Sequence, residues 1–168
     1  MNRYTVAVLV QNKFGVLNKV TSMFRRRQFN ISSLTVSETE SNEFSRITVT
    51  FDGDEIKEQQ LVNQLYKLPD VVSIRELDGK NTVSAELLLI KMANEAETRG
   101  DIIAAADAFE AKTVDYSRES MVFQLTADSI RIDEFINLMR DYNILEICRT
   151  GIVSLEKGAE TIRKVTNL

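Results

Sequence analysis

The spacing of apolar residues in this chain switches from two to three-and-four and back, and the switch recurs in the same order along its 168 residues. Tyr4, Val6, Val8 and Val10 alternate with Ala7 and Leu9, so the first segment is apolar on both faces, as expected of a central strand covered on both sides. From Gly15 the spacing is helical: Val16, Leu17, Val20, Met23 and Phe24 share a face. Arg25, Arg26 and Arg27 follow, where positive charge suits a helix C-terminus. Strand spacing returns over Ile31 to Glu38. Thr39 to Asn42 reads as a hairpin turn, and Ile47, Val49 and Phe51 then alternate with Arg46, Thr48 and Thr50. Asp54 is a candidate cap for a helix carrying Leu61, Val62, Leu65, Tyr66 and Leu68. Pro69 stops it, and Val71 to Leu77 is the last strand. The order is βαββαβ, the split unit of ferredoxin-like folds.

Asp78 to Asn81 is a polar break, and the same order can be read behind it. Ala85 to Met92 is an apolar strand. Asn94 with Glu97 resembles a capping box ahead of a helix bearing Ile102, Ile103, Ala106 and Phe109. Short strands are expected near Lys112 to Asp115 and Ser120 to Thr126. Ile132, Phe135, Ile136 and Met139 mark a helix, and Ile144 to Leu155 closes the unit. The fold class is therefore α+β: two tandem ferredoxin-like modules, 1–78 and 82–168, repeated in element order rather than in residue identity.

Composition narrows the chemistry. No histidine is present, which removes the usual general base near neutral pH and the usual zinc ligand. A net charge of -4 gives no basic field for nucleic acid or anionic lipid. The single cysteine, Cys148, fits a reducing compartment and reads as a small packing residue in a strand. The N-terminus runs straight into strand spacing without an export leader, and no apolar run is long enough to span a bilayer, so a cytoplasmic location is expected. Asp52, Asp54 and Glu55 cluster at a helix start, where capping and the dipole account for them without a metal. Arg25 to Arg27 reads as a solvated helix end rather than a docking patch.

Asn12-Lys13-Phe14-Gly15-Val16-Leu17, between the first strand and the first helix, is the most informative stretch. Glycine permits a tight loop, and the unpaired N–H groups at the helix start suit a carboxylate. Asn30 offers an amide carbonyl to an ammonium group, and Ile31, Val16 and Leu17 offer apolar surface. Those are the parts of a branched-chain amino acid. By spacing alone, a structural turn and cap is the competing account.

The run Asn12-x-x-Gly15-Val16-Leu17-x-Lys19-Val20, followed by Phe29-Asn30-Ile31-Ser32-Ser33-Leu34-Thr35-Val36, resembles the ACT domain of the small, regulatory subunit of acetohydroxyacid synthase (acetolactate synthase). The resemblance continues through Ser45-Arg46-Ile47-Thr48, Gln64 to Val71, Glu86 to Lys91 and Arg149-Thr150-Gly151. Ser32 and Ala85 depart from it, standing where the family often has an acidic residue and an arginine.

The resemblance implies a non-catalytic subunit. ACT halves of two copies would pair side by side as a homodimer and bind valine at their interface. Asn12, Lys13, Phe14, Gly15, Val16 and Leu17 would come from one copy, Asn30 and Ile31 from the other. The chain would attach to the catalytic large subunit, raise its activity and confer feedback inhibition by valine. No cofactor would be its own: thiamine diphosphate, magnesium and FAD would sit on the catalytic partner, since this sequence has no phosphate loop or acidic metal cluster for them. The alternative is a free-standing ACT-type amino-acid sensor acting on transcription or another enzyme.

Overall fold

The computed structural model describes residues 2–163. The elements are β1 (Asn2–Gln11), α1 (Val16–Arg26), β2 (Ile31–Glu38), β3 (Phe44–Gly53), α2 (Glu55–Leu65) and β4 (Val71–Glu76). They continue as β5 (Thr82–Ala93), α3 (Arg99–Ala108), β6 (Lys112–Tyr116), β7 (Ser120–Ala127), α4 (Ser129–Met139), β8 (Ile144–Arg149) and β9 (Val153–Glu156). The βαββαβ order is present twice, and the fold is α+β as expected.

Two compact units result. The first comprises residues up to Ser84 together with the stretch from Ile152 onward; the second is Ala85–Gly151. The sequence expectation had instead run a second domain from 82 to 168. The difference comes from Gly151, whose φ of 81° breaks the expected strand Ile144 to Leu155 into β8 and β9 and returns the chain to the first unit.

In the first unit the sheet order is β2-β3-β1-β4, all pairs antiparallel. Val8 faces Ile47 on one side and Ile74 on the other, and Leu34 faces Val49. Side chains alternate across a strand, so Val6, Val8, Val10, Ile47, Val49, Phe51 and Ile74 share one face. That face packs on Val16, Val20 and Phe24 of α1 and Leu61, Val62 and Leu65 of α2. Phe24 and Phe29 both meet Phe51 edge to face, at 6.3 and 5.6 Å between centroids.

The opposite face is buried too. Ala7 and Leu9 are 0% and 1% exposed, and Thr48, Thr50 and Ser73 are buried beside them. The two-sided burial read from Tyr4 to Val10 is thus found, and the returning C-terminal stretch supplies the cover. The Ile152 N–H donates to Ser33 Oγ at 3.2 Å, and the Arg46 guanidinium donates to the Ser154 carbonyl at 2.7 Å. Arg75 pairs with Glu156 at 3.5 Å. β9 pairs with the start of β5, where the Ser84 and Ser154 hydroxyls are 2.7 Å apart. Burial lowers the Arg46 pKa, an effect that Glu156 opposes.

In the second unit the order is β6-β7-β5-β8. Leu88, Ile90, Met92, Met121, Phe123 and Leu125 face Ile102 and Ala106 of α3 and Ile132, Phe135, Ile136 and Met139 of α4. Asp128 caps α4 by accepting the Arg131 N–H at 2.9 Å.

Two expectations are corrected here. Asn94 does not cap α3, which starts after Thr98. Its amide instead donates to the Ser117 carbonyl, and its oxygen accepts from Arg99. Cys148 is not a packing residue: it stands opposite Leu89 on the face turned from the helices and is exposed. The Arg149 beside it points to the helical face and binds Glu86 at 2.6 Å and Asp133 at 2.7 Å. The hydrogen bonds it donates to Glu86 are the largest influence holding its guanidinium charged.

The first turn of α2 carries a pH-sensitive group. Burial, then repulsion from Glu76 and Glu55, raises the Glu58 pKa from 4.5 to about 7. Between those values the folded chain holds a proton that the unfolded chain has released, so stability falls as pH rises through the window. Glu58→Gln is expected to raise the melting temperature at pH 8 and leave it nearly unchanged at pH 4. Equal shifts at the two pH values would contradict this account.

Candidate functional site

The loop that joins β1 to α1 is fixed before the helix begins. The Gln11 N–H donates to the Asp70 carbonyl at 2.9 Å, and the Asn12 N–H donates to the Glu43 carbonyl at 2.7 Å. The Asn12 side chain reaches the same hairpin end, donating to Glu38 Oε1 and the Asn42 carbonyl, both at 3.0 Å. Asn12 is therefore a latch between this loop and the β2–β3 hairpin. Lys19, one turn into α1, pairs with Asp70 at 2.6 Å and ties the helix to the entry of β4.

Gly15 turns the chain. Its φ of 82° lies in the left-handed region, which favours glycine, and a Cβ built there meets nothing within 4 Å. The space in front of it is open. The first helical bond is from the Lys19 N–H to the Gly15 carbonyl, and the Val16 N–H turns back to the Lys13 carbonyl at 3.3 Å. The N–H groups of Gly15, Leu17 and Asn18 lie ahead of that first bond and meet no protein acceptor among the described residues. No side chain caps this end and its first turn holds no acidic residue, so the positive end of the helix dipole is uncompensated. Arg25 and Arg26 occupy the opposite end, and the run Arg25 to Arg27 is exposed.

Around these amides Phe14 is fully exposed at 107%, Leu17 is 41% exposed and Lys13 is exposed. Val16 is different. At 3% exposure its side chain belongs to the first unit's core, so the expectation that it offers apolar surface to a ligand is corrected: only its main chain borders the loop.

Asn30 and Ile31 do not join the loop within one chain. Ile31 stands opposite Phe51, which is opposite Tyr4, whereas the loop leaves β1 at Gln11. Seven strand residues separate those levels, about 23 Å. Asn30 is exposed, and Ile31 packs partly on the first core. The residues that spacing missed are Glu38, Asn42, Glu43 and Asp70, which hold the loop from distant parts of the chain. No local pattern announces such contacts.

With this geometry in view, two family descriptions match the chain. An acetohydroxyacid synthase small subunit-like ACT domain matches residues 6–73, and a small subunit of acetolactate synthase domain matches residues 85–158. The probable acetolactate synthase small subunit of Archaeoglobus fulgidus is 42% identical over 156 residues, covering 93% of this chain and 98% of that protein. The acetolactate synthase small subunit of Mycolicibacterium smegmatis is 41% identical, covering 95% and 94%. The crystal structure of the Thermotoga maritima acetolactate synthase small subunit aligns with a TM-score of 0.87 at 37% identity, covering 94% of this chain and 99% of that one. The second family match ends beyond Gly151, so it takes in β9 as well as the second unit. Matched by two family descriptions across both halves, and by relatives over more than nine tenths of its length and of theirs, the chain belongs to the family of acetolactate synthase small subunits.

Proposed function

We propose that this chain attaches to the catalytic large subunit of an acetolactate synthase, raises its activity and confers feedback inhibition by valine bound where two copies meet. The observation that carries this reading is the group of outward N–H groups on Gly15, Leu17 and Asn18 at an uncompensated helix start. Such a group receives a carboxylate without a basic side chain.

The shape of the first sheet supports the shared site. β2 is an edge strand. Its eight residues extend about 26 Å, with Ile31 at one end and Glu38, the partner of Asn12, at the other. A second copy laid antiparallel along that edge by a two-fold axis brings its own Asn30 and Ile31 to the first copy's Asn12, Lys13, Phe14, Gly15 and Leu17. Symmetry then makes two equivalent sites. The Asn30 amide oxygen accepts from the ammonium group, while Leu17 and Ile31 meet the aliphatic side chain.

A site completed by two copies links occupancy to dimer geometry, and a coupling of about 1–3 kcal/mol changes an attached enzyme's activity several-fold or more. In this reading thiamine diphosphate, magnesium and flavin are held by the catalytic subunit, and the assembly works in the cytoplasm. Mixing the purified chain with an acetolactate synthase catalytic subunit is expected to raise acetolactate formation several-fold, and valine to reverse the gain. No change on mixing would end this reading.

A further inference from the structure

The stretch that follows β9 reaches the hairpin that latches the candidate effector loop. Arg163 pairs with Glu40 at 2.9 Å and lies over the Phe44 ring, 5.4 Å from its centroid. Glu40 and Phe44 flank the tip of the β2–β3 hairpin, which is closed by the Thr39 N–H to the Phe44 carbonyl at 3.1 Å and by Thr39 Oγ1 to the Ser41 carbonyl at 3.0 Å. The same tip presents Glu38, Asn42 and Glu43 to Asn12. A continuous series of contacts therefore runs from Arg163 through the hairpin to the loop in front of α1.

The stretch is anchored on its other side as well. Arg46 holds the Ser154 carbonyl, and Arg75 holds Glu156 and, at 3.5 Å, the Thr161 carbonyl. Between the anchors lies a cavity of about 440 Å³ bordered by Leu9, Arg46, Leu155 and Ile162. The stretch is thus tied down at points along its length but not packed solid, the arrangement of a strap rather than of a core element.

We infer that this C-terminal strap, clasped through Arg163 on Glu40 and Phe44, sets how tightly the Asn12–Leu17 loop holds its effector. The inference rests on the proposed valine site. Releasing the clasp frees the hairpin tip, and the loop latched to it by Asn12 must then be ordered when ligand binds, which lowers affinity without removing any ligand contact.

The test uses the full chain with Arg163→Glu, Glu40→Arg and the double exchange. Arg163 and Glu40 are 43% and 71% exposed, so none of the three threatens folding. Valine titration by calorimetry is expected to show Arg163→Glu binding about three- to fivefold more weakly, the scale of an exposed ion pair, and the exchanged pair returning to within about twofold of wild type. In unliganded protein, amide hydrogen exchange of 13–18 is expected to quicken in Arg163→Glu and recover in the double variant. Unchanged valine affinity and unchanged exchange in Arg163→Glu overturn the strap. Should wild type bind no branched-chain amino acid, the proposed site fails instead, and the exchange rates alone still decide whether the strap steadies the loop.

Discussion

Gly15→Asp is expected to weaken valine binding about a hundredfold while leaving the fold intact. A Cβ at this position meets nothing within 4 Å, so the cost in the free protein is confined to the backbone strain of a non-glycine residue at a φ of 82°. The cost to binding lies in the charge. A second carboxylate about 5 Å from the ligand's own, at an effective dielectric near 20, repels it by about 3 kcal/mol, and that figure is roughly two powers of ten in affinity. Gly15→Asn separates this effect from backbone strain. Asparagine and aspartate tolerate a φ of 82° about equally well, yet asparagine adds no charge, so a loss of less than about tenfold is expected from it. Calorimetric titration of the three proteins decides. Wild-type affinity in the aspartate variant would remove the loop from the site.

Arg149→Ala is expected to cost the second unit about 3–5 kcal/mol, read by urea denaturation, because it strands a buried carboxylate. The Glu86 side chain is 4% exposed and accepts two bonds from Arg149, at 2.6 and 2.9 Å, and one from Ser129 Oγ at 3.0 Å. Only the serine remains once Arg149 is gone. The reverse change is gentler. Arg149 is 33% exposed and keeps Asp133 at 2.7 Å, so Glu86→Gln is expected to cost about 1–2 kcal/mol. Equal losses from the two variants would show that the burial of Glu86 is not what sets the cost.

What could be read in the sequence was what local spacing determines. The alternation of Tyr4 to Val10 gave both the central strand and its two covered faces, and Ile132, Phe135, Ile136 and Met139 are the buried stripe of α4. What covers Ala7 and Leu9 was not readable, because Arg46, Arg75 and Ser33 meet Ser154, Glu156 and Ile152 only after the chain has gone through the whole second unit. Asn94 carried a capping pattern that fitted its neighbours, yet the carbonyl of Ser117 and the guanidinium of Arg99 claimed its side chain. At the candidate site, Gly15 was legible because its conformation is a local need. Val16 has its side chain in the core, as its i, i+4, i+8 spacing with Val20 and Phe24 indicates, and the reading of it as ligand surface set that spacing aside.

The discontinuous make-up of the first unit has a consequence for biosynthesis. A ribosome delivers Ala7 and Leu9 before the second unit but β9 after it, so the nascent first sheet waits with the face of Ala7, Leu9, Thr48 and Thr50 uncovered while the second unit, contiguous from Ala85 to Gly151, can finish as it emerges. The half begun first is completed only after the second, and termination before β9 leaves that face without its cover.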